Sequence, residues 1–240
     1  PIFCHPRAWL SARPEDLDSR NKSENDNLVA QCGRSMIEML GVLAIIGVLS
    51  VGGIAGYSKA MEKFKINKTI QQITEIAANV QTLYLQQKDF NGLTTETAVQ
   101  MGVVPDELGT SFYYGSTVIT HAFGSYVDIG VPYYSDTYNN YFQIIFSRMT
   151  KEACMALATA DWNSISSSEV VGVGINDVTD VVNYLTGYDV LNNCTGTSSN
   201  DTAYFACSKY LPIPPAVAAQ YCGKQVDTSD FNGFIIYFKK

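Results

Sequence analysis

An acidic side chain stands at the edge of an apolar run near the start of the chain. Glu38 follows Met36-Ile37 and precedes Met39-Leu40. An unpaired carboxylate in such surroundings is costly, so Glu38 is a candidate functional residue. The alternative is that Glu38 sits at the level of lipid headgroups and has no role.

The six cysteines are the second chemical feature. Cys4 and Cys32 precede the apolar run, and the other four lie in the last third of the chain: Cys154, Cys194, Cys207 and Cys222. No closely spaced pair indicates zinc, so no metal is expected. Two disulfides in an oxidising compartment fit better and place this part outside the cytoplasm. Four thiols allow three pairings, and free thiols are the alternative.

Other side chains give little indication of catalysis or ligand binding. His121 has no second histidine after residue 33, so a metal-ligand or general-base role is not expected. Asn193 and Asn200 match glycosylation acceptors, but this signal is given little weight. The tyrosine-rich run 133–141 favours packing over adhesion. Phosphate-binding loops and nucleophile elbows are not found, so neither an enzyme nor a cofactor is predicted. A net charge of −7 argues against nucleic-acid binding.

The apolar run itself predicts a membrane-spanning helix. Residues 39–58 carry no charge, and about 20 helical residues at roughly 1.5 Å each cross a hydrocarbon core. A basic cluster follows at once and indicates a solvated, membrane-proximal helix face: Lys59, Lys63, Lys65 and Lys68.

After Lys59 the pattern becomes amphipathic. Apolar residues recur in steps of three and four, at Ile66, Ile70, Ile73, Ala77, Val80 and Tyr84. No proline occurs between Arg34 and Gln87, so one helix is predicted over 36–87, with a stop at Gly92. Residues 1–33 are polar without a sustained period and are interpreted as a disordered leader.

The rest of the chain predicts an α+β domain with an antiparallel sheet, because strands come in runs without regular helical crossovers. One short helix is predicted to begin with Thr94 or Thr95 as its cap and to run to Met101, closed by Gly102. Two more are predicted over 151–160, with Thr150 as the N-cap, and over 214–221. Strands are predicted over 117–120, 125–131, 140–148, 169–173 and 233–238, with a polar loop over 192–201.

The segment from Gly33 to Lys59 resembles the N-terminus of type IV prepilins. In that family a glycine precedes the cut, a glutamate is the fifth mature residue, and an uncharged apolar helix follows. Those roles fall here on Gly33, on Arg34 as the new N-terminus, and on Glu38. Later stretches resemble the longer, type IVb pilins, namely 93–108, 120–124, 151–154 and the Pro-Pro-Ala-Val-Ala-Ala-Gln-Tyr-Cys run at 214–222.

The resemblance implies a pilin fold and a mechanism. A long N-terminal helix would have a transmembrane first half (34–58) and an amphipathic second half (59–88), packed on the sheet of a globular head (89–240). A prepilin peptidase in the bacterial inner membrane would remove 1–33, and an assembly platform would move subunits from lipid into a surface filament. There Glu38 would pair with the amine of Arg34 in another copy.

Two departures from the family pattern stand out. Arg34 replaces the usual phenylalanine, whose amine is methylated, and Ala55 stands where many members have a proline. Glycines destabilise a helix interior by roughly 1 kcal/mol each, so one hypothesis is that the segment holding Gly47, Gly52, Gly53 and Gly56 loosens on assembly. The other is close helix packing.

The resemblance also favours the pairing Cys154–Cys222, which leaves Cys194 with Cys207. It leaves two other interpretations open: a pseudopilin of a type II secretion machine, and a membrane-anchored periplasmic enzyme or binding protein. Adhesion, motility, DNA uptake and secretion remain alternative uses of such a filament, as a major or a minor subunit.

Overall fold

The computed structural model describes residues 21–113, 115–132, 139–166, 168–175, 197–199, 203–222 and 233–240. For 21–36, Glu38 and 197–199 it describes the backbone alone. Residues 1–20, both glycosylation acceptors, Cys194 and most of the tyrosine-rich run lie outside the described residues. The chain divides into two compact units, Pro1–Lys59 and Ala60–Lys240.

The first helix, α1, is longer than predicted at its start and shorter at its end. It spans Asn21–Tyr84, so the prediction of a disordered leader is wrong for 21–33. The last proline before the helix is Pro14, and good helix formers such as Leu28 and Ala30 let the backbone continue without a break. At the other end the Tyr84 carbonyl accepts from the Gln87 N–H at 2.9 Å, which turns the chain before the predicted end at residue 87.

The amphipathic pattern of α1 is confirmed within the second unit. Ile73, Ala77, Val80 and Tyr84 are buried, and Ile66 and Ile70 pack against the core half-buried. Ile76 joins the buried stripe although it was not in the predicted set. The 3.6-residue period therefore identified the face that the head covers.

Four shorter α-helices follow among the described residues, and two carry the predicted caps. The helix α2 spans Thr95–Gln100, and a capping box joins Thr94 and Thr97. The helix α3 spans Lys151–Ala158 with Thr150 as N-cap, two residues shorter than predicted. The short α4, Trp162–Ile165, was not predicted. It is held by the indole N–H of Trp162, which donates to the Leu157 carbonyl at 2.8 Å. The helix α5 spans Pro215–Tyr221 and begins with proline at its first turn, as predicted.

The strands form one antiparallel sheet in the order β1-β2-β3-β4-β8-β5-β7-β6 among the described residues. Their bounds are Gly109–Tyr113, Ser116–Thr120, Tyr126–Gly130, Tyr141–Phe146, Val170–Ile175, Thr197–Ser199, Tyr204–Cys207 and Phe234–Lys239 for β1 to β8. The fold class and the antiparallel sheet are confirmed. The last strand is central, between β4 and β5.

Three strands escaped prediction. All five residues of β1 are exposed, so no alternation of apolar and polar residues marks it. The loop predicted over 192–201 contains β6, whose three residues Thr-Ser-Ser are all polar. The four residues of β7, Tyr-Phe-Ala-Cys, are a run too short to distinguish from a buried turn or helix end. Each exists because a neighbouring strand pairs with it.

Both faces of the central strands are covered. On β4, Phe142, Ile144 and Phe146 belong to the main core with the buried stripe of α1. Tyr141 and Ile145 point the other way, into a second cluster with Phe205 and Tyr237. Six consecutive residues of β4 are buried, so the strand lacks alternation, and its aromatic and β-branched content is what identifies it.

Candidate functional site

The apolar half of α1 is the largest exposed apolar surface of the described chain. Every described side chain from residue 39 to 60 is exposed, and Val48 retains 75% of its accessible area. Leaving such side chains in water rather than burying them costs about 1.5–3 kcal/mol each. Among the described helices, α1 alone is long and apolar enough to cross a membrane. This surface requires lipid or other helices around it.

The polar atoms within this apolar half are satisfied by their own helix. The Ser50 hydroxyl donates to the Ile46 carbonyl at 2.7 Å, and the Ser58 hydroxyl donates to the Ile54 carbonyl at 3.0 Å. Hydroxyls bonded to the preceding turn need no outside partner. The segment therefore suits a dry environment.

The glycines of this segment have open space around them among the described atoms. A methyl group added at Gly47, Gly52, Gly53 or Gly56 would find no described atom within 4 Å. Packing within one subunit therefore does not require glycine there. Both hypotheses for these glycines, loosening on assembly and close packing between helices, concern contacts with other copies.

The predicted cleavage and assembly residues lie on the helical backbone of α1. Gly33, Arg34 and Glu38 are all within Asn21–Tyr84. Their side chains lie outside the described part of the chain, so their roles stay predictions.

The basic cluster after the apolar half is divided between two environments. Lys68 Nζ lies 2.8 Å from Glu107 Oε1 in an ion pair, and Lys65 Nζ lies 5.8 Å from the ring centroid of Phe123. Lys59 and Lys63 are exposed. The prediction of a uniformly solvated basic face is therefore wrong for Lys65 and Lys68, because the head supplies partners for both.

Two cysteines of the head are joined in the pairing that the resemblance favours. Cys154 on α3 and Cys222 after α5 form a disulfide, with their Cα atoms 5.7 Å apart and a sequence separation of 68. Both are fully buried. Cys207 is also disulfide-bonded, but Cys194 lies outside the described residues, so that second pairing stays a prediction.

His121 is a buried hydrogen-bonding residue of the β2–β3 turn. It is 3% exposed, its Nε2 lies 2.8 Å from the Ser147 carbonyl oxygen, and its Nδ1 accepts from the Phe123 backbone N–H at 3.2 Å. Both bonds form only with the neutral ring that carries its proton on Nε2. Burial lowers the pKa of His121, and the Ser147 carbonyl opposes this less strongly.

This lowered pKa predicts acid sensitivity of the head. As pH falls below about 6.5, the unfolded chain takes up a proton that the folded chain refuses, so the free energy of unfolding decreases until the pH reaches the folded pKa. Urea midpoints at several pH values from 7.5 to 5 measure this. The variant His121→Gln should lose most of that pH dependence, whereas an equal dependence in both proteins would show that other groups cause it.

Two long-range contacts involve residues that no local pattern identified. Lys240 Nζ donates to the carbonyls of Tyr84, at 3.0 Å, and Gln87, where α1 ends. The Thr150 hydroxyl that caps α3 also donates to Glu62 on α1, at 3.2 Å. A cation favours the negative end of a helix dipole, so the last residue of the chain stabilises the end of α1.

Comparison with known proteins places this geometry in context. The model of the Bundlin family matches residues 58–209. The chain is 26% identical over 211 residues to the major structural subunit of bundle-forming pilus of Escherichia coli O111:H-, covering 87% of this chain and 94% of the relative. The subunit of Escherichia coli O127:H6 matches to the same extent. A type IV b pilin structure from Salmonella typhi aligns with a TM-score of 0.44 and 14% identity, over 72% of this chain and 97% of that one.

Proposed function

Because the chain belongs to the Bundlin family, we propose that it is a structural subunit of a type IVb-like pilus and assembles through the apolar half of α1. The observation that carries this is that every described side chain from residue 39 to 60 is exposed. A filament core built from such helices removes the apolar surface from water, as lipid does before assembly.

Processing supplies the first step of the proposed assembly. A prepilin peptidase cuts between Gly33 and Arg34 and releases the α-amine of Arg34. Before the cut this nitrogen belongs to a peptide bond and carries no charge. After the cut it is a cation that Glu38 of another copy can pair with in the filament core. Because Arg34 replaces the phenylalanine that is usual in the family, methylation of the Arg34 amine has to be measured, by the mass of the mature chain.

The ion pair between Glu38 and the Arg34 amine would determine the axial register of the subunits more than the overall stability of the filament. Attraction in a dry core is large, and the desolvation of both charges offsets much of it. A stagger that leaves one charge unpaired is penalised by several kcal/mol. Subunits would therefore stack at the one axial offset that brings Glu38 to a neighbouring amine.

The proposed location follows from the same segment. The subunit first spans the bacterial inner membrane with its disulfide-bonded head in the periplasm, and then enters a surface filament through the assembly platform. We infer a structural rather than an enzymatic role, because the chain belongs to the Bundlin family and is similar to proteins described as major structural subunits of a pilus.

N-terminal sequencing of filament protein sheared from cells tests the proposal. We expect the chain to begin at Arg34 and its mass to reveal any methyl group. The variant Gly33→Leu should stay uncut in the membrane, because a bulky side chain replaces the glycine that the peptidase recognises. The control Gly47→Leu lies inside the mature helix and should be cut normally. Surface filaments built from chains that keep residues 1–33 would contradict the proposed processing.

A further inference from the structure

A cleft opens in the head where β2 and β3 separate. These strands pair only at Ile119 with Val127 and at Thr120 with Tyr126, whereas β3 continues along β4 as far as Gly130. The gap between the diverging strands has a volume of about 750 Å³. Residues 116–118 form one wall, 126–131 the other, and 93–96 close one end.

The start of α2 is fixed to the open edge of β3. The Ile129 backbone N–H, which has no partner on β2, donates to the Thr95 hydroxyl oxygen at 3.0 Å. The same hydroxyl donates to Oδ1 of Asp128. Only one oxygen of the Asp128 carboxylate is used by these contacts, and the side chain remains exposed. The other oxygen of Asp128 is thus a hydrogen-bond acceptor held in place at the wall of the cleft.

The described lining of the cleft is acidic. Asp128 and Glu96 contribute carboxylates, and none of the described lining residues is lysine, arginine or histidine. The exposed ring of Tyr126 stands beside them and offers a face to a cation.

A second observation on β4 points to a missing donor. Gln143 lines the cleft and is 6% exposed, and its Oε1 has no hydrogen-bond donor among the described residues. A buried acceptor without a partner costs about 1–3 kcal/mol. A ligand that brings N–H groups and positive charge would supply both this donor and a counter-charge for Asp128 and Glu96.

We propose that this acidic cleft receives a lysine side chain from the head of a second copy of the chain. The inference rests on the proposed filament, in which heads of a chain with net charge −7 must lie side by side and repel unless opposite charges meet. Besides Lys240, which binds carbonyls at the end of α1, three lysines of the described part of the head are exposed and have no acidic partner there: Lys151, Lys209 and Lys239. In this proposal α1 drives assembly, and the contact between cleft and lysine makes the packing of neighbouring heads specific.

Zero-length carbodiimide crosslinking of sheared filaments tests the proposal, because it joins a carboxylate only to an amine in direct contact. We expect dimers and higher ladders on denaturing gels. Mass spectrometry of the dimer band should find Asp128 or Glu96 linked to a lysine. Links between Glu38 and the Arg34 amine come from the proposed core contact and do not count toward the ladder. A dimer band whose remaining linked peptides contain neither Asp128 nor Glu96, or a wild-type filament without any ladder, overturns the inference.

Variants separate this contact from general surface charge. Asp128→Asn with Glu96→Gln should reduce the ladder at least fivefold, while Asp106→Asn, an exposed carboxylate outside the cleft, should leave it unchanged. A double variant that keeps the Cys154–Cys222 bond on non-reducing gels but forms no filaments also supports the contact, provided that Asp106→Asn assembles. An unchanged ladder in the double variant refutes it. Absence of wild-type filaments contradicts the proposed function instead.

Discussion

Replacing Glu38 by alanine is expected to abolish surface filaments while the protein stays in the membrane. The change removes the counter-charge of an amine buried in the filament core, and an unpaired charge there costs about 3–5 kcal/mol. At roughly 1.4 kcal/mol per tenfold, the association constant between subunits falls at least a hundredfold. Membrane insertion needs no carboxylate at this position and is eased by its loss. Electron microscopy of shear fractions, with immunoblots of the membrane fraction, measures both effects.

Two further variants show whether the charge of Glu38 is what matters. Glu38→Gln keeps the shape and removes the charge, so it should fail as alanine does. Glu75→Ala, an exposed acid on the same helix, should assemble at the wild-type level. Normal filaments from Glu38→Gln would show that the shape of the side chain matters and its charge does not. Normal filaments from Glu38→Ala would show that residue 38 has no role in assembly.

Breaking the bond between Cys154 and Cys222 is expected to give the largest loss of stability in the head. The closed loop has a sequence separation of 68, and the chain-entropy model gives such a loop about 4 kcal/mol. The bond joins α3 to the end of α5, and both cysteines are buried in the main core. The double variant to alanine also leaves small cavities there, which add to the loss. Thermal unfolding of the full chain in detergent micelles, followed by near-ultraviolet circular dichroism, measures it.

The second predicted pair provides the matched comparison. Alanine at both Cys194 and Cys207 opens a shorter loop, for which the same model gives about 3 kcal/mol, so its midpoint should fall less. A larger loss from this pair than from Cys154 and Cys222 would show that strain or core packing, and not loop entropy, governs the head.

The sequence predicted those elements whose local pattern decides their structure. The charge-free segment 39–58, the amphipathic period that follows it, and the caps Thr94 and Thr150 each depend on neighbours a few residues away. The aromatic and β-branched strands β4 and β8 were found for the same reason. The apolar half of α1, the part that carries the proposed function, is therefore predictable from its local sequence.

Features made by distant residues were not predictable in this way. The exposed strand β1 has no core-facing period and forms because β2 pairs with it. The cleft depends on where β2 leaves β3, and its acceptors Asp128 and Gln143 come from different strands. Lys240 reaches the end of α1 across 156 residues. No local pattern contains such information, because only the tertiary fold brings these groups together.

The helix α1 has to be stable in two dry environments in succession. Its serine hydroxyls donate to carbonyls of the preceding turn, and a methyl group added at its glycines would meet no described atom, so both lipid and neighbouring helices fit around it. In the proposed assembly only Glu38 distinguishes the two environments, because lipid offers no cation of fixed position and the α-amine of a neighbouring subunit would be one. A filament in which residues 47–56 are fully helical would contradict the loosening hypothesis and favour close packing for the glycines.

A high-resolution reconstruction of the filament tests whether one copy's carboxylate meets another copy's amine inside a core of apolar helices. We expect residues 39–58 of many copies around the axis, and the Glu38 carboxylate within hydrogen-bonding distance of the Arg34 α-amine of a neighbour. A filament with that segment on its outside, or with Glu38 facing solvent and no amine near it, would contradict the account.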